Sequence, residues 1–578
     1  MISAMTTPPR WLSDRLAACS LGLLAVVLWL PRLHGPMDLR SDSAVYYILG
    51  TSITEGHGYR LLNEPGAIQA VQYPPLFPLV AAAYQWLLGT NDPVVVAPWL
   101  RLTCCGFFIA FTLANFAVLR RWLSVPVAML GTVMVVLQVE TFTMSELFYP
   151  EILYALLTLC FFLVSWRSQS VGNGVAAFLL ATLAYFTRTV GIALLLAWVM
   201  ESVLQRKLRQ ALMRGVAALV PVLAWQGYVG HVTGGAEYAH PAYAYQRAPY
   251  MFYNVTYATN IGTFIDPMMP ELGRASTRDL VTRVARNVAQ LPAKFGEVIS
   301  STRESYELPW KVYALPAPIS TPWPVSVVLW ILGGIVITGW CLMVRDQQWS
   351  VVVYSAVAVG LMCATPWPQQ FDRYLVPVQP LLIACFLTAS MAAIRLLGRA
   401  GRWSTGFVVV MITLILVQQL LVTRVMYSLR QPSVFRGPSG NSIMYDAFFF
   451  GEPYRALDRA TDWLRTNAKV DEICAGSMPH GVYLRAGIRC VMSPFEADAH
   501  RAQALLDGVP VTYLIVDEGL ALETARYMSR VIETYPGQWH QVYRTAIPPE
   551  PGRAAPGTLT VYRRTGQPVP GSSNQGNR

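Results

Sequence analysis

Charge is scarce in this chain. Of 578 residues, Asp, Glu, Lys and Arg make up 13%, whereas an ordinary soluble protein carries about 25%. Together with a hydrophobic share of 54% and a mean hydropathy of +0.39, this deficit excludes a soluble globular protein over most of the length. A polytopic membrane protein remains. Other absences narrow the reading. No Cys or His spacing matches a zinc site, no repeat recurs at a solenoid period, and no Gly-rich phosphate loop precedes Asp517, which ends the strand-like VTYLIVD. The N-terminal apolar run is not expected to be a cleavable signal peptide. The apolar run from Leu16 to Leu33 exceeds the roughly 7–15 residues of a signal sequence and ends without a small-residue cleavage site. It is expected to be an uncleaved first span.

Basic residues exceed acidic ones, 44 to 33, for a formal charge of +11. In a soluble domain this would suggest nucleic acid. Here the basic residues lie in short loops between apolar runs, where they fix orientation, so no nucleic-acid partner is expected. Apolar runs long enough to span recur near 16–33, 97–119, 124–142, 148–166, 172–187, 189–205, 211–230, 322–344, 350–365, 373–394 and 404–424. The loops with Arg120-Arg121, Arg167, Arg206-Lys207-Arg209-Arg214, Arg345 and Arg395-Arg399-Arg402 should face the cytoplasm. They do so together only if 76–119 crosses once, which makes the short stretch 76–88 interfacial. The N-terminus is then inside, about eleven spans follow, and the C-terminal domain is outside.

The expected organisation is a transmembrane domain at 1–430, with a first outer loop at 35–97 and a large outer loop at 231–321. A soluble domain at 431–565 alternates helix and strand patterns, as a small α/β domain does, and 566–578 reads as a disordered tail. The stretch around 277–298 is amphipathic, with Leu280, Val281, Val284, Val288 and Leu291 at helical spacing, suited to lying on the membrane or packing on the bundle. The tyrosines of 238–257 suit stacking on sugar rings or an interfacial aromatic belt, and the belt is the stronger reading. Seven of the nine cysteines lie in spans as small hydrophobes. Cys474 and Cys490 sit in the soluble domain and could form a disulfide on an oxidising side.

Asp42 stands out in the first outer loop. From Ser41 the pattern predicts a helix with Val45, Ile48, Leu49 and Ile53 on one face, ended at Gly56 and Gly58 and lying along the membrane surface. Asp42 falls in its first turn, where the helix dipole complements a negative charge; Asp42 or Ser41 serving merely as an N-cap is the plainer alternative. The succession Asp42, Tyr46, Gly56 and Tyr73-Pro74-Pro75-Leu76 resembles the first outer loop of the GT-C glycosyltransferases, in particular the protein O-mannosyltransferases and lipid A aminoarabinose transferases. The resemblance covers roughly residues 1–200 and fades afterward. It implies a GT-C-like polytopic helical fold with surface helices in the first outer loop, and Asp42 as catalytic base. The chain departs from the pattern in two places. Asp42-Ser43 replaces the common Asp-Glu, and Tyr73 stands where relatives often have Lys or His, so a second carboxylate and a basic group are missing there.

The resemblance further implies an inverting transfer of sugar from a polyprenyl-phosphate donor to an acceptor hydroxyl on the outer face, with protein, lipid or polysaccharide as acceptor. Such a reaction needs cations for the departing phosphate and a base for the hydroxyl. Arg101, Arg188, Arg373 and Tyr374 lie at outer span ends and are candidates for the phosphate and donor; snorkelling to lipid headgroups is the bland alternative for the arginines. Glu146 and Glu151 are candidates for a second acidic site, and the sequence does not separate them. Metal dependence stays open, since a divalent metal occurs in some GT-C branches only; His231 and His240 are the loop histidines that could serve as ligands. The expected location is a bacterial plasma (inner) membrane, with the C-terminal domain on the periplasmic side. The alternative class is a polytopic transporter or flippase of lipid-linked or envelope precursors. Transporters place ionisable groups near mid-membrane, and here they gather at outer span ends. A catalytically dead scaffold is the third reading, and the retained Asp42 speaks against it.

Overall fold

The computed structural model describes residues 10–167, 170–312, 322–396, 401–448, 451–520, 522–549 and 556–565. Each of the eleven stretches expected to span is helical. Among the described residues, six helices are long and apolar enough to cross a membrane alone: those within Ser13–Arg32, Pro93–Leu119, Leu208–Thr233, Trp323–Arg345, Gln379–Leu396 and Thr405–Ser428. Val125–Leu137 and Val139–Glu146 form a seventh candidate, bent by 56°. The apolar helices Glu151–Ser165, Val171–Thr187 and Trp349–Met362 are shorter, as is Ile192–Leu204. At 1.5 Å per residue they fall short of a hydrocarbon core of about 30 Å. The chain is an integral membrane protein. Arg120 pairs with Asp14 at 2.7 Å, which ties the first helix to the end of the Pro93–Leu119 helix on the side expected to be cytoplasmic.

Two helices of the first outer loop pack side by side. Asp42–Thr54 and Leu76–Leu88 approach so closely that a Cβ on Gly50 would stand 2.9 Å from the Pro78 carbonyl oxygen. Gln85 Nε2 donates to Thr51 Oγ1 at 2.8 Å between them. The second helix leaves Leu79, Trp86 and Leu87 exposed. The first presents no single lipid face: residues 43–52 are all buried, because helix Pro479–Ala486 of the C-terminal domain covers it. Gly56 and Gly58 do end it, at φ +77° and +82°, values that favour glycine.

The amphipathic helix Thr277–Ile299 opens with a complete capping box, Ser276 and Asp279. Its first half leaves Val281, Val284 and Val288 exposed, and its last turn buries Val298 and Ile299. There it crosses the Pro322–Arg345 span at glycines: a Cβ on Gly333 would stand 1.7 Å from Pro292 O, and one on Gly296 2.0 Å from Leu329 O.

The C-terminal α/β domain holds a five-stranded sheet in the order Arg489–Met492, Ile473–Gly476, Tyr513–Asp517, Gly557–Arg564, Trp539–Ile547. The first three strands are parallel, and the last two add an antiparallel edge. Tyr243, Tyr245 and Tyr250 are buried against this domain with Ala475, Val491 and Leu514. They form no interfacial belt, because the domain sits on them. Cys474 and Cys490, which the sequence allowed to form a disulfide, are free thiols in this structure. They face each other on neighbouring parallel strands. The tail at 566–578 lies outside the described residues.

Candidate active site

The segment leading to Asp42 is fixed on both sides. Met37 N donates to Ala97 O at 2.9 Å, and Phe148 N to Asp38 O at 3.2 Å. Asp38 accepts from Arg40 Nε at 2.8 Å. Ser41 then takes φ +55°, ψ −133°, a strained conformation for a residue with a Cβ, and the helix starts at Asp42. Ser41 holds the N-cap position and makes no side-chain cap bond. The Asp42 carboxylate turns to other partners. Tyr253 OH donates to Oδ1 at 2.8 Å, and Arg373 Nη1 to Oδ2 at 2.8 Å.

Arg373 lies on the short helix Phe371–Leu375, its guanidinium 4.2 Å from the centre of the Tyr149 ring. Its Nε donates to Glu151 Oε1 at 2.5 Å. Arg188 donates to the same oxygen and sits over the Tyr374 ring at 5.4 Å. Glu151 is the first residue of helix Glu151–Ser165 and is fully buried; two arginines and the helix N-terminus balance its charge. The result is a row of alternating charge, Arg188–Glu151–Arg373–Asp42.

Glu146 stands elsewhere. It takes Arg32 Nε at 2.7 Å and Arg101 Nη1 at 2.9 Å, and all three side chains are at most 2% exposed. Arg101 also donates to Pro36 O at 2.7 Å and to Arg32 O. This buried cluster ties the end of the first span to the Pro93–Leu119 and Val139–Glu146 helices. Arg101 and Glu146 are thus set apart from Asp42: both are consumed in holding the loop in place.

Asp42, Arg188, Arg373 and Tyr374 line one cavity of about 810 Å³. One end is apolar, with Ile192, Trp225, Val229 and Leu361 from the membrane helices; Leu361 is 45% exposed. Another part of the lining comes from the C-terminal domain and includes His480. The His480 ring meets Tyr253 edge-on at 4.6 Å. Burial lowers its pKa to about 3 against the opposing pull of Asp42, so the imidazole is neutral. Burial likewise pushes the Tyr253 phenol up, which keeps its O–H as a donor to Asp42. His480 was not a candidate from sequence, and Tyr253 was considered only among the tyrosines of 238–257. The surroundings of Asp42 do not fit a divalent cation, since one oxygen accepts a guanidinium and the other a phenol. His231 and His240 are exposed and do not line the cavity.

No family model matches the sequence, and no curated protein matches it. Solved structures do match its fold. The Archaeoglobus fulgidus oligosaccharyltransferase, tethered to an acceptor peptide containing the NVT sequon, is similar at a TM-score of 0.52 and 11% identity, over 97% of this chain and 74% of that one. In its apo form it matches at 0.51 and 12%, over 96% and 74%. ArnT from Cupriavidus metallidurans in the apo state covers 94% of this chain and 97% of that chain at 12% identity, but with a TM-score of 0.40, too low to bear on the fold. The chain therefore has the fold of the Archaeoglobus fulgidus oligosaccharyltransferase, here a polytopic membrane domain followed by a soluble α/β domain.

Proposed function

We propose that the protein is a membrane glycosyltransferase that moves a sugar from a polyprenyl-phosphate donor to an acceptor hydroxyl, with inversion. The observation that carries this reading is the cavity itself. A carboxylate and two arginines converge in it beside an apolar end built from membrane helices. A lipid-linked donor needs that combination. Its polyprenyl tail lies along the apolar end, and its phosphate between Arg188 and Arg373.

Binding of the phosphate makes it a competitor of Asp42 for Arg373, which frees Oδ2 to accept the proton of an incoming hydroxyl. The acceptor oxygen bonds to the anomeric carbon as the bond from that carbon to the phosphate oxygen breaks. The electron pair leaves with the phosphate, whose added charge the two arginines meet. The acceptor proton ends on Asp42. Attack from the side opposite the leaving group inverts the anomeric centre. Tyr253 holds the carboxylate in place, and Glu151 holds the arginines from behind without entering the cavity. The reading includes a bacterial inner membrane as the location, with the C-terminal domain on the periplasmic side.

The test is transfer of label from a panel of radiolabelled polyprenyl-phosphate sugars in membranes with wild type or Asp42→Asn at equal protein levels. Transfer by the wild type and a loss of about 100-fold or more in the variant support the assignment. Equal transfer by both removes Asp42 from the chemistry, and no transfer from any donor returns the transporter reading.

A further inference from the structure

The transfer chemistry needs only the membrane-side half of the cavity. The other half belongs to the C-terminal domain and differs in kind. The chain leaves strand Ile473–Gly476 to pair on one side as Arg489–Met492, then returns on the other side as Tyr513–Asp517. Such a reversal opens a crevice at the carboxyl ends of the strands, where open α/β sheets bind ligands. Here the crevice faces the cavity, and Ser477, His480, Ser493 and Thr524 line it. Ser477 Oγ, His480 Nε2 and Ser493 Oγ are buried with no hydrogen-bond partner. Trp367 Nε1, also in the lining, is a fourth such atom. Gln72 Oε1 and Asn260 Oδ1, on the membrane-domain side of the lining, bring the total to six. Buried polar atoms are costly unless something pairs with them, and such a concentration around one cavity marks a built ligand site.

We propose that this half is the acceptor subsite and that it takes a neutral saccharide unit. The proposal rests on the glycosyl-transfer reading and adds the acceptor class to it. Its orphan groups are two hydroxyls, an imidazole and an indole N–H, a mixture that matches sugar hydroxyls acting as both donors and acceptors. Among the described residues that this domain gives to the cavity, none is Lys or Arg, so a phosphorylated acceptor would find no counter-charge there. Flat apolar surface stands beside the polar atoms: Phe252 meets Trp367 at 5.9 Å and Phe495 at 6.2 Å. Sugar rings offer apolar faces to such planes and hydroxyls at their rims. The link to the chemistry is short. His480 packs on Tyr253, and Tyr253 donates to Asp42, so a hydroxyl held near His480 lies beside the base.

Equilibrium binding tests the class without turnover. Full-length protein in detergent micelles is titrated with neutral methyl glycosides and disaccharides of mannose, galactose and arabinose, a Ser/Thr-containing peptide, and a phosphorylated glucosamine disaccharide, read by saturation-transfer NMR. A neutral glycoside should bind wild type and Asp42→Asn alike, and bind Ser493→Ala and His480→Phe about fivefold more weakly each, as for one lost neutral hydrogen bond. His480→Phe keeps the ring packing, and Ser493→Ala removes one atom, so a folding failure of one leaves the other. Binding of the peptide or the phosphorylated disaccharide alone overturns the proposal, as does glycoside binding that ignores both variants. With an active donor, the same variants should raise KM for the acceptor and leave KM for the donor within twofold; the reverse pattern assigns the site to the donor sugar and overturns it. Glycoside binding with no transfer from any donor would sink the transferase reading while the saccharide site stands. Transfer with no glycoside binding would do the opposite.

Discussion

Arg373 joins two carboxylates with one guanidinium, donating from Nη1 to Asp42 at 2.8 Å and from Nε to Glu151 at 2.5 Å. With Arg188 on the same Glu151 oxygen, the row of two cations and two anions sums to zero at rest. A phosphate entering between the arginines must compete with one of the two carboxylates. Glu151 is fully buried and Asp42 lines the cavity, so the exchangeable partner is Asp42. On the proposed function, the resting ion pair keeps Asp42 occupied until a phosphate enters.

The two glutamates should separate by experiment. Glu146→Gln leaves Arg32 and Arg101 buried with too little negative charge, and breaking a buried pair costs about 3–5 kcal/mol. The expected result is a large drop in melting temperature and yield, with near-normal transfer per folded molecule. Glu151→Gln unseats Arg188 and Arg373, which are 21% and 15% exposed and reach cavity water. It should cost less stability and lower kcat/KM at least tenfold. Label transfer and thermal melts on both variants check this, and the opposite pattern would exchange their roles.

Much of this arrangement was legible in the sequence. The apolar runs marked the helices because hydrocarbon demands long apolar stretches. Arg188 and Arg373 were visible as costly charges at span ends. Arg101 carried the same signal for another reason: a buried arginine that staples backbone and one that holds phosphate look alike until partners are seen. Tyr253 and His480 were hidden differently. Tyr253 sits in a tyrosine-rich stretch that reads as a belt, and His480 in a short helix pattern of a distant domain. Docking of that domain over the Asp42–Thr54 helix brings His480 to Tyr253 and so to Asp42, and no local periodicity encodes docking.

Gly333 tests whether the amphipathic helix positions the site. Ala there would push its Cβ against Pro292 O, now 1.7 Å from the ideal position, and overpacking of this kind costs about 1–3 kcal/mol. Helix Thr277–Ile299 would shift and draw Lys294 from Asp372, a 3.0 Å contact next to Arg373. Gly333→Ala should lower both the melting temperature and transfer. A lowered melting temperature with unchanged transfer would separate the helix from the site.

All nine cysteines are free. Denatured, unreduced protein should take up nine alkyl groups by mass spectrometry, and reductant should leave the melting temperature unchanged. Seven alkylations, with Cys474 and Cys490 protected, would reinstate the disulfide.

His480 gives a pH signature. Its folded pKa is lowered to about 3 by burial, against about 6.5 in an unfolded chain. Between these values the unfolded chain binds more protons, so acidification favours unfolding. The stability present above about pH 6.5 is lost as pH falls toward 3, at about 1.4 kcal/mol per unit. His480→Gln removes this contribution. Asp458, raised to about 6 by burial despite Arg485 and Arg40 nearby, acts in the opposite sense but is common to both proteins and cancels in the comparison. Wild type should therefore lose more melting temperature between pH 7 and 4.5 than His480→Gln. Parallel slopes would mean that the imidazole reaches water and takes up its proton in the folded state, which would remove it as a neutral partner for an acceptor hydroxyl.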